Sequence, residues 1–267
     1  MRLQDRVAIV TGASGDIGSA TVRAFAAAGA HVVLAAPAGE IHILEQLAAE
    51  VALWGVRALV VPTDVTIRSE IDRLVAATVD AFETIDVLAN VAGVGSSPAL
   101  CDDTDDELQR VVNVNLLGCA RMIHAVLPVM KMQRRGSIVN VGSIAGEAGV
   151  MGIYSASKFG LRGLTDTVRR EVRSSQIGVT LVAPGFVRSK MNAKMGERLP
   201  SPAVVARSIV RAAQRPRRCI IVPAYYAVPV YAAKLFPGIV DRVFGDARIQ
   251  QRLNRDARAE RAERIAP

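Results

Sequence analysis

Short runs of Val, Ile, Leu and Ala alternate along this chain with longer segments in which apolar residues recur three and four positions apart. The runs predict strands at Val7 to Val10, His31 to Ala35, Ala58 to Val61, Val87 to Ala89, Ser137 to Val141, Val179 to Val182 and Cys219 to Val222. None carries an alternating polar face, as expected of strands covered on both sides. Strands that alternate with helices in this way form a parallel, doubly wound sheet with right-handed crossovers, an α/β fold of about seven strands with helices on both faces. With 267 residues, 51% of them hydrophobic, the chain can bury one large core, and a single domain is expected.

Two stretches carry candidate chemistry. The first strand runs into Thr11-Gly12-Ala13-Ser14-Gly15-Asp16-Ile17-Gly18 and then into a helix through Ala28. Glycines between a first strand and a first helix let the backbone turn tightly and approach a pyrophosphate, which the amide groups of the helix N-terminus hold. Further on, Tyr154-Ser-Ala-Ser-Lys158 opens an apolar-periodic segment continuing through Phe159, Leu161, Leu164 and Val168. Four helical residues stack the Tyr154 phenol and the Lys158 ammonium on one face, where the charge favours phenolate and suits the tyrosine to proton transfer. The same spacing occurs on many ordinary helices, so the pair takes its meaning from the motifs around it.

Charge and cysteine content narrow the classes of function. The net charge is +8, and residues 198–267 hold fourteen Arg plus Lys against five Asp plus Glu, so the positive excess belongs to the C-terminal quarter. A basic quarter suits an anionic membrane, a phosphorylated ligand or nucleic acid, and more often forms a solvated helix face. No zinc-finger, helix-turn-helix or basic-zipper pattern accompanies it, and aromatic residues make up only 4% of the chain, few for base stacking, so no nucleic-acid partner is expected. Cys101, Cys119 and Cys219 make neither a disulfide framework nor a metal spacing. His31, His42 and His124 are scattered away from other ligand types, so no catalytic metal is expected. A start directly in a strand, without a leader pattern, fits a cytoplasmic protein.

The motifs taken together resemble those of the short-chain dehydrogenase/reductase family, single-domain branch, over roughly residues 5 to 222. Asp64-Val65 resembles the pair at the adenine ring, and Asn90-Val91-Ala92-Gly93 the Asn-Asn-Ala-Gly segment beside the cofactor. Asn115 matches the asparagine that holds a water near the catalytic lysine, and Ser143, Tyr154 and Lys158 match the catalytic serine, tyrosine and lysine. Pro184-Gly185, with Val187 and Ser189, resembles the segment at the nicotinamide carboxamide. The resemblance implies a Rossmann-like fold and NAD or NADP as cofactor, held by Gly12, Ser14, Gly15, Ile17, Gly18, Asp64, Val65, Asn90, Ala92, Gly93, Tyr154, Lys158, Pro184, Gly185, Val187 and Ser189. It implies an oxidoreductase interconverting a secondary alcohol and a ketone, with Tyr154 as general acid/base and Ser143 on the carbonyl. A cofactor-binding scaffold without catalysis is the alternative.

This chain departs from that pattern in several places. Asp16 stands where the middle glycine is usual; the expectation is a helix N-cap with its carboxylate turned from the phosphates. At the tip of the second strand, Ala35-Ala36-Pro37-Ala38 offers neither an acid for the ribose nor an arginine for a 2′-phosphate, which leaves NAD and NADP open. Ser143 and Tyr154 are closer in sequence than the resemblance implies. Val91 replaces the second asparagine, a milder change that packing can absorb. In the shortened segment, Glu147 is expected to be a solvated loop acid rather than a substrate contact. Arg188, Lys190, Met191, Lys194, Met195 and Arg198 fall where relatives have a substrate lid, and are expected to be solvated.

Residues 223–267 form an extension beyond a catalytic region of residues 1–222. Cys219 to Phe244 gathers Tyr225, Tyr226, Tyr231, Phe236 and Phe244 among prolines, and its longest uncharged run is too short to span a bilayer. The expectations are a lipophilic small-molecule substrate, no transmembrane segment, peripheral membrane contact at most, and a homo-oligomer. Asp246 to Ile265 reads as an Arg-, Ala- and Glu-rich segment without a core-sized apolar face.

Overall fold

The computed structural model describes residues 1–97, 99–189 and 199–246. Its strands β1 (Val7–Thr11), β2 (His31–Ala35), β3 (Ala58–Val60), β4 (Val87–Asn90), β5 (Gly136–Val141), β6 (Ile177–Pro184) and β7 (Cys219–Val222) form one sheet in the order β3-β2-β1-β4-β5-β6-β7. Every neighbouring pair is parallel. The helices are α1 (Asp16–Ala27), α2 (Ile41–Ala52), α3 (Arg68–Phe82), α4 (Asp105–Val112), α5 (Cys119–Gln133), α6 (Ala145–Ala148), α7 (Gly152–Glu171), α8 (Pro202–Gln214), α9 (Ala227–Leu235) and α10 (Pro237–Phe244).

The twofold period of each strand divides the core into two layers. On one face Ala8 and Val10 of β1 and Val32 and Leu34 of β2 meet Val22 and Phe25 of α1, Leu44, Leu47 and Val51 of α2, and Val205 and Ile209 of α8. The intervening residues Val7, Ile9, Val33 and Ala35 point the other way, to Ile71 and Leu74 of α3, Met122, Val126 and Met130 of α5, and Val168 of α7. This is why the strand sequences have no polar face, and each large side chain buried there contributes about 1.5–3 kcal/mol. The run Asp105–Gln133 has the length and apolar composition of a membrane span. Its α5 residues Met122, Ile123, Val126 and Met130 lie buried against the sheet, so it is a core element.

Strand order reverses between β1 and β4, and the loops leaving their C-terminal ends diverge to open a crevice. The Thr11 hydroxyl spans its floor, accepting hydrogen bonds from the amides of Val91 (3.1 Å) and Ala92 (3.2 Å). Beyond β7, α9 packs against α6, burying Val230, while no residue of α10 is buried.

Candidate active site

The residues singled out along the chain converge on the crevice. Gly12 has φ +63°, and a Cβ there would lie 2.7 Å from the Ala92 backbone. At Gly18 a Cβ would sit 1.9 Å from the Gly12 carbonyl oxygen, so the loop closes on itself only with glycine at both positions. The N-cap of α1 is Gly15, without a side-chain cap. Amides of the first turn therefore remain for a ligand, and the loop fits the pyrophosphate of a dinucleotide. Asp16 is not the expected N-cap: it is the first helical residue, because Gly15 takes the extended conformation that defines the cap. Its carboxylate still lies in the first turn, where the helix dipole favours it.

Asp64 organises its own turn, accepting from the amide (2.8 Å) and hydroxyl (2.7 Å) of Thr66. Val65 is buried in the core beneath Gly118, whose Cβ would come within 2.7 Å of it. Asn90 is buried too and donates to Asn140 (2.9 Å), which donates in turn to Thr165 (2.9 Å), a chain that joins β4, β5 and α7. Val91 packs against the core beside it. These side chains brace the crevice rather than line it.

The catalytic candidates are grouped around Lys158. The six residues Asn113–Gly118 wind as a π-helix between α4 and α5, and this wider turn buries Asn115. The Asn115 Oδ1 accepts from the Val94 amide (2.8 Å), while Nδ2 donates to the Val94 carbonyl (2.9 Å) and to Ser157 Oγ (3.1 Å). The buried Lys158 ammonium donates to the Val141 carbonyl (3.0 Å) and lies 5.7 Å from the centre of the Tyr154 ring. Gly93 faces both: a Cβ there would be 3.3 Å from Asn115 Oδ1 and 3.4 Å from Lys158 Nζ. A side chain there would press on both groups, so Gly93 lets the backbone lie close to Asn115 and Lys158 together. Tyr154 is half-buried one turn before Lys158 on α7. Cys119, fully buried nearby, has its thiol pushed up to about 11 by burial, against the opposing Lys158 charge, so it is no nucleophile.

Ser143 follows β5 half-buried, its Oγ accepting from the Ala145 amide (3.1 Å). The shortened segment after it contains the turn of helix α6. This turn packs so closely on α7 that a Cβ at Gly146 would lie 2.7 Å from Lys158 backbone. Glu147 corrects the expectation of a solvated loop acid. It is 4% exposed, and its Oε2 pairs with both Arg162 of α7 and Lys234 of α9, leaving Oε1 without a partner. The periodicity of α6 is too short to have revealed a buried face.

Pro184 ends β6, and Gly185 is covered by the Tyr226 ring, which a Cβ would approach to 2.3 Å. Burial and the neighbouring Tyr225 push the Tyr226 phenol up, against a hydrogen bond from the Phe186 backbone. Val187 is buried, Ser189 half-buried and Arg188 exposed. Lys190, Met191, Lys194, Met195 and Arg198 lie outside the described residues, as does the Arg-rich segment after Asp246. The sequence offered no pattern for the parts played by Thr11, Ser157, Glu147 and Tyr226, since each acts through a contact distant along the chain.

Comparison with known proteins agrees with this geometry. The family model described as short chain dehydrogenase matches residues 6–200. The 3-oxoacyl-[acyl-carrier-protein] reductase FabG of Thermotoga maritima is 38% identical over 210 residues, covering 76% of this chain and 83% of that protein. A 3-oxoacyl-[acyl-carrier-protein] reductase of Synechocystis is 39% identical over 191 residues, covering 71% and 77%. Among solved structures, a short chain dehydrogenase/reductase from Burkholderia phymatum in complex with NAD superposes with a TM-score of 0.81 at 25% identity, covering 90% of this chain and 96% of that one.

Proposed function

The chain belongs to the short-chain dehydrogenase/reductase family and is an NAD(P)-dependent oxidoreductase; we propose that it interconverts a secondary alcohol and a ketone on a lipophilic substrate, with Tyr154 as general acid/base. The observation that carries this reading is the constellation around Lys158: the Tyr154 ring 5.7 Å away, with Asn115 Oδ1 and Lys158 Nζ both close against Gly93. The bound dinucleotide supplies or accepts the hydride. Tyr154 gives its proton to the carbonyl oxygen in reduction and takes it back in oxidation, and Ser143 donates a hydrogen bond to the same oxygen. The Lys158 ammonium stabilises negative charge on the phenolic oxygen and binds the nicotinamide ribose. A water held between Lys158 Nζ and Asn115 Oδ1 restores the proton. Asn115, with its amide group committed to Val94 and Ser157, holds that geometry rigid. Gly12, Ser14, Gly15, Ile17 and Gly18 hold the pyrophosphate side, and Gly185 and Ser189 the nicotinamide side.

The lipophilic assignment is supported by the names of the two reductase relatives, whose 3-oxoacyl substrates carry a ketone on an acyl chain. It is supported also by the exposed apolar side chains of α9 and α10, including Val228, Leu235 and Ile239. These offer buried area to a lipophilic substrate, a lipid surface touched peripherally, or a second subunit of a homo-oligomer. Unpaired Cys101, Cys119 and Cys219 accord with the cytoplasm. In domain terms, residues 1–222 form the catalytic unit and residues 223–267 an extension that follows it in sequence.

The test is turnover of a panel of ketones and alcohols with NADH, NADPH and their oxidised forms. Lipophilic substrates are expected to outperform small sugars. Tyr154→Phe is expected to lower turnover at least about a hundredfold while leaving dinucleotide binding within a few-fold, because it keeps the ring and removes only the hydroxyl. Wild-type turnover in that variant refutes the assignment.

A further inference from the structure

The residue that decides between NAD and NADP is absent from the tip of β2, and the structure gives the reason. Ala36 is 1% exposed and belongs to the core layer under α1 and α2, so an acid at that position would have its carboxylate in apolar surroundings. Pro37 then begins a 3₁₀ turn, Ala38–Glu40, closed by a hydrogen bond from the Glu40 amide to the Pro37 carbonyl (2.9 Å). The turn carries the chain back over the glycine loop. At its end the Glu40 carboxylate accepts a hydrogen bond from the hydroxyl of Ser14, the residue just before Gly15 in the glycine loop. Glu40 is exposed, and among the described residues no cation pairs with it.

We propose that Glu40 is the ribose-binding acid of this enzyme and makes it selective for NAD over NADP. In dinucleotide-binding sheets an acid about twenty residues beyond the glycine loop accepts the adenosine ribose hydroxyls. Here it arrives from the turn after β2 instead of from the strand tip, and Ser14 fixes its direction. An ionised carboxylate at that place accepts from a 2′-hydroxyl, and it repels a 2′-phosphate bearing about two negative charges. The chain has no arginine or lysine from Ala35 to Ile41 to offset that repulsion. The inference rests on the reading of the glycine loop as a dinucleotide site.

Titration of the full-length protein with NADH and with NADPH, followed by nucleotide fluorescence, tests it without turnover. NADH is expected to bind at least about tenfold more tightly. Glu40→Gln keeps an acceptor for Ser14 and removes the charge, so NADPH is expected to gain and the preference to fall by about tenfold, with an unchanged melting temperature. Glu40→Arg is expected to reverse the preference. Equal binding of both nucleotides by the wild type, or an unchanged ratio in Glu40→Gln, overturns the role of Glu40. Binding of neither nucleotide overturns the dinucleotide site itself, and Glu40's role with it.

Discussion

Lys158 brings a charge into nearly closed surroundings, and what its ammonium touches is set by small residues as much as by polar ones. It has the Val141 carbonyl on one side and the space beside Gly93 on the other. Gly93 is needed there for its missing side chain, since its Cβ would press to 3.3 Å from Asn115 Oδ1 and 3.4 Å from Lys158 Nζ. Gly93→Ala is therefore expected to lower kcat by about tenfold or more by pushing Asn115 and Lys158 out of place, with a smaller effect on dinucleotide affinity. Steady-state kinetics beside nucleotide titration checks this; an unchanged kcat refutes the requirement for glycine beside Lys158 and Asn115. Asp16 illustrates the opposite case. A departure from the glycine pattern proves to be a first-turn acid on α1, where the dipole favours it.

At the scale of elements, the short segment between Ser143 and Tyr154 is taken up by α6, which is pinned through its two central residues. Gly146 lets it lie against the backbone of α7, and Glu147 ties it to Arg162 and Lys234. A carboxylate so buried, with Oε1 unpartnered, holds its place only while both cations remain. Both of those side chains are about one-third exposed, so Glu147→Gln is expected to cost about 1–3 kcal/mol, between the surface and buried limits for ion pairs. A lowered melting temperature with a raised KM for substrate is the expected outcome, since α6 follows directly on Ser143. Unchanged values for both would mean that the triad positions nothing.

For the molecule as a whole, the outer face of the C-terminal helices is the part the fold leaves unused. Val228, Tyr231, Leu235, Phe236 and Ile239 are more than half exposed, within the quarter of the sequence that holds the positive excess. Removing residues 224–267 would also remove Tyr226 from Gly185 and Lys234 from Glu147, so it would damage every activity. The cleaner variant is Leu235→Ser, Phe236→Ser and Ile239→Ser together. This variant is expected to keep its fold and its turnover of small substrates and to lose at least about tenfold in kcat/KM on long acyl or steroid-like ones, in keeping with two or three lost apolar contacts. Light scattering of the same variant reads the competing role: loss of oligomers with an unchanged substrate ranking assigns the face to subunit contact.

The strands of the sheet and their order of appearance were legible in the sequence because strands buried on both faces must be apolar throughout, and their boundaries differ from the observed ones by at most two residues. The glycine loop and the Tyr154 to Lys158 spacing were legible for a similar reason: each is a local geometry that few residue types satisfy. Glu40, Glu147 and Tyr226 were not. Glu40 reaches Ser14 from beyond α1 and β2, Glu147 meets Lys234 across most of the C-terminal half, and Tyr226 covers Gly185 from beyond the last strand. Local pattern determines which residues can form a strand, a tight turn or a tyrosine and lysine stacked one helical turn apart. Which distant charge or ring closes on them depends on how the elements pack, and only the tertiary structure decides that.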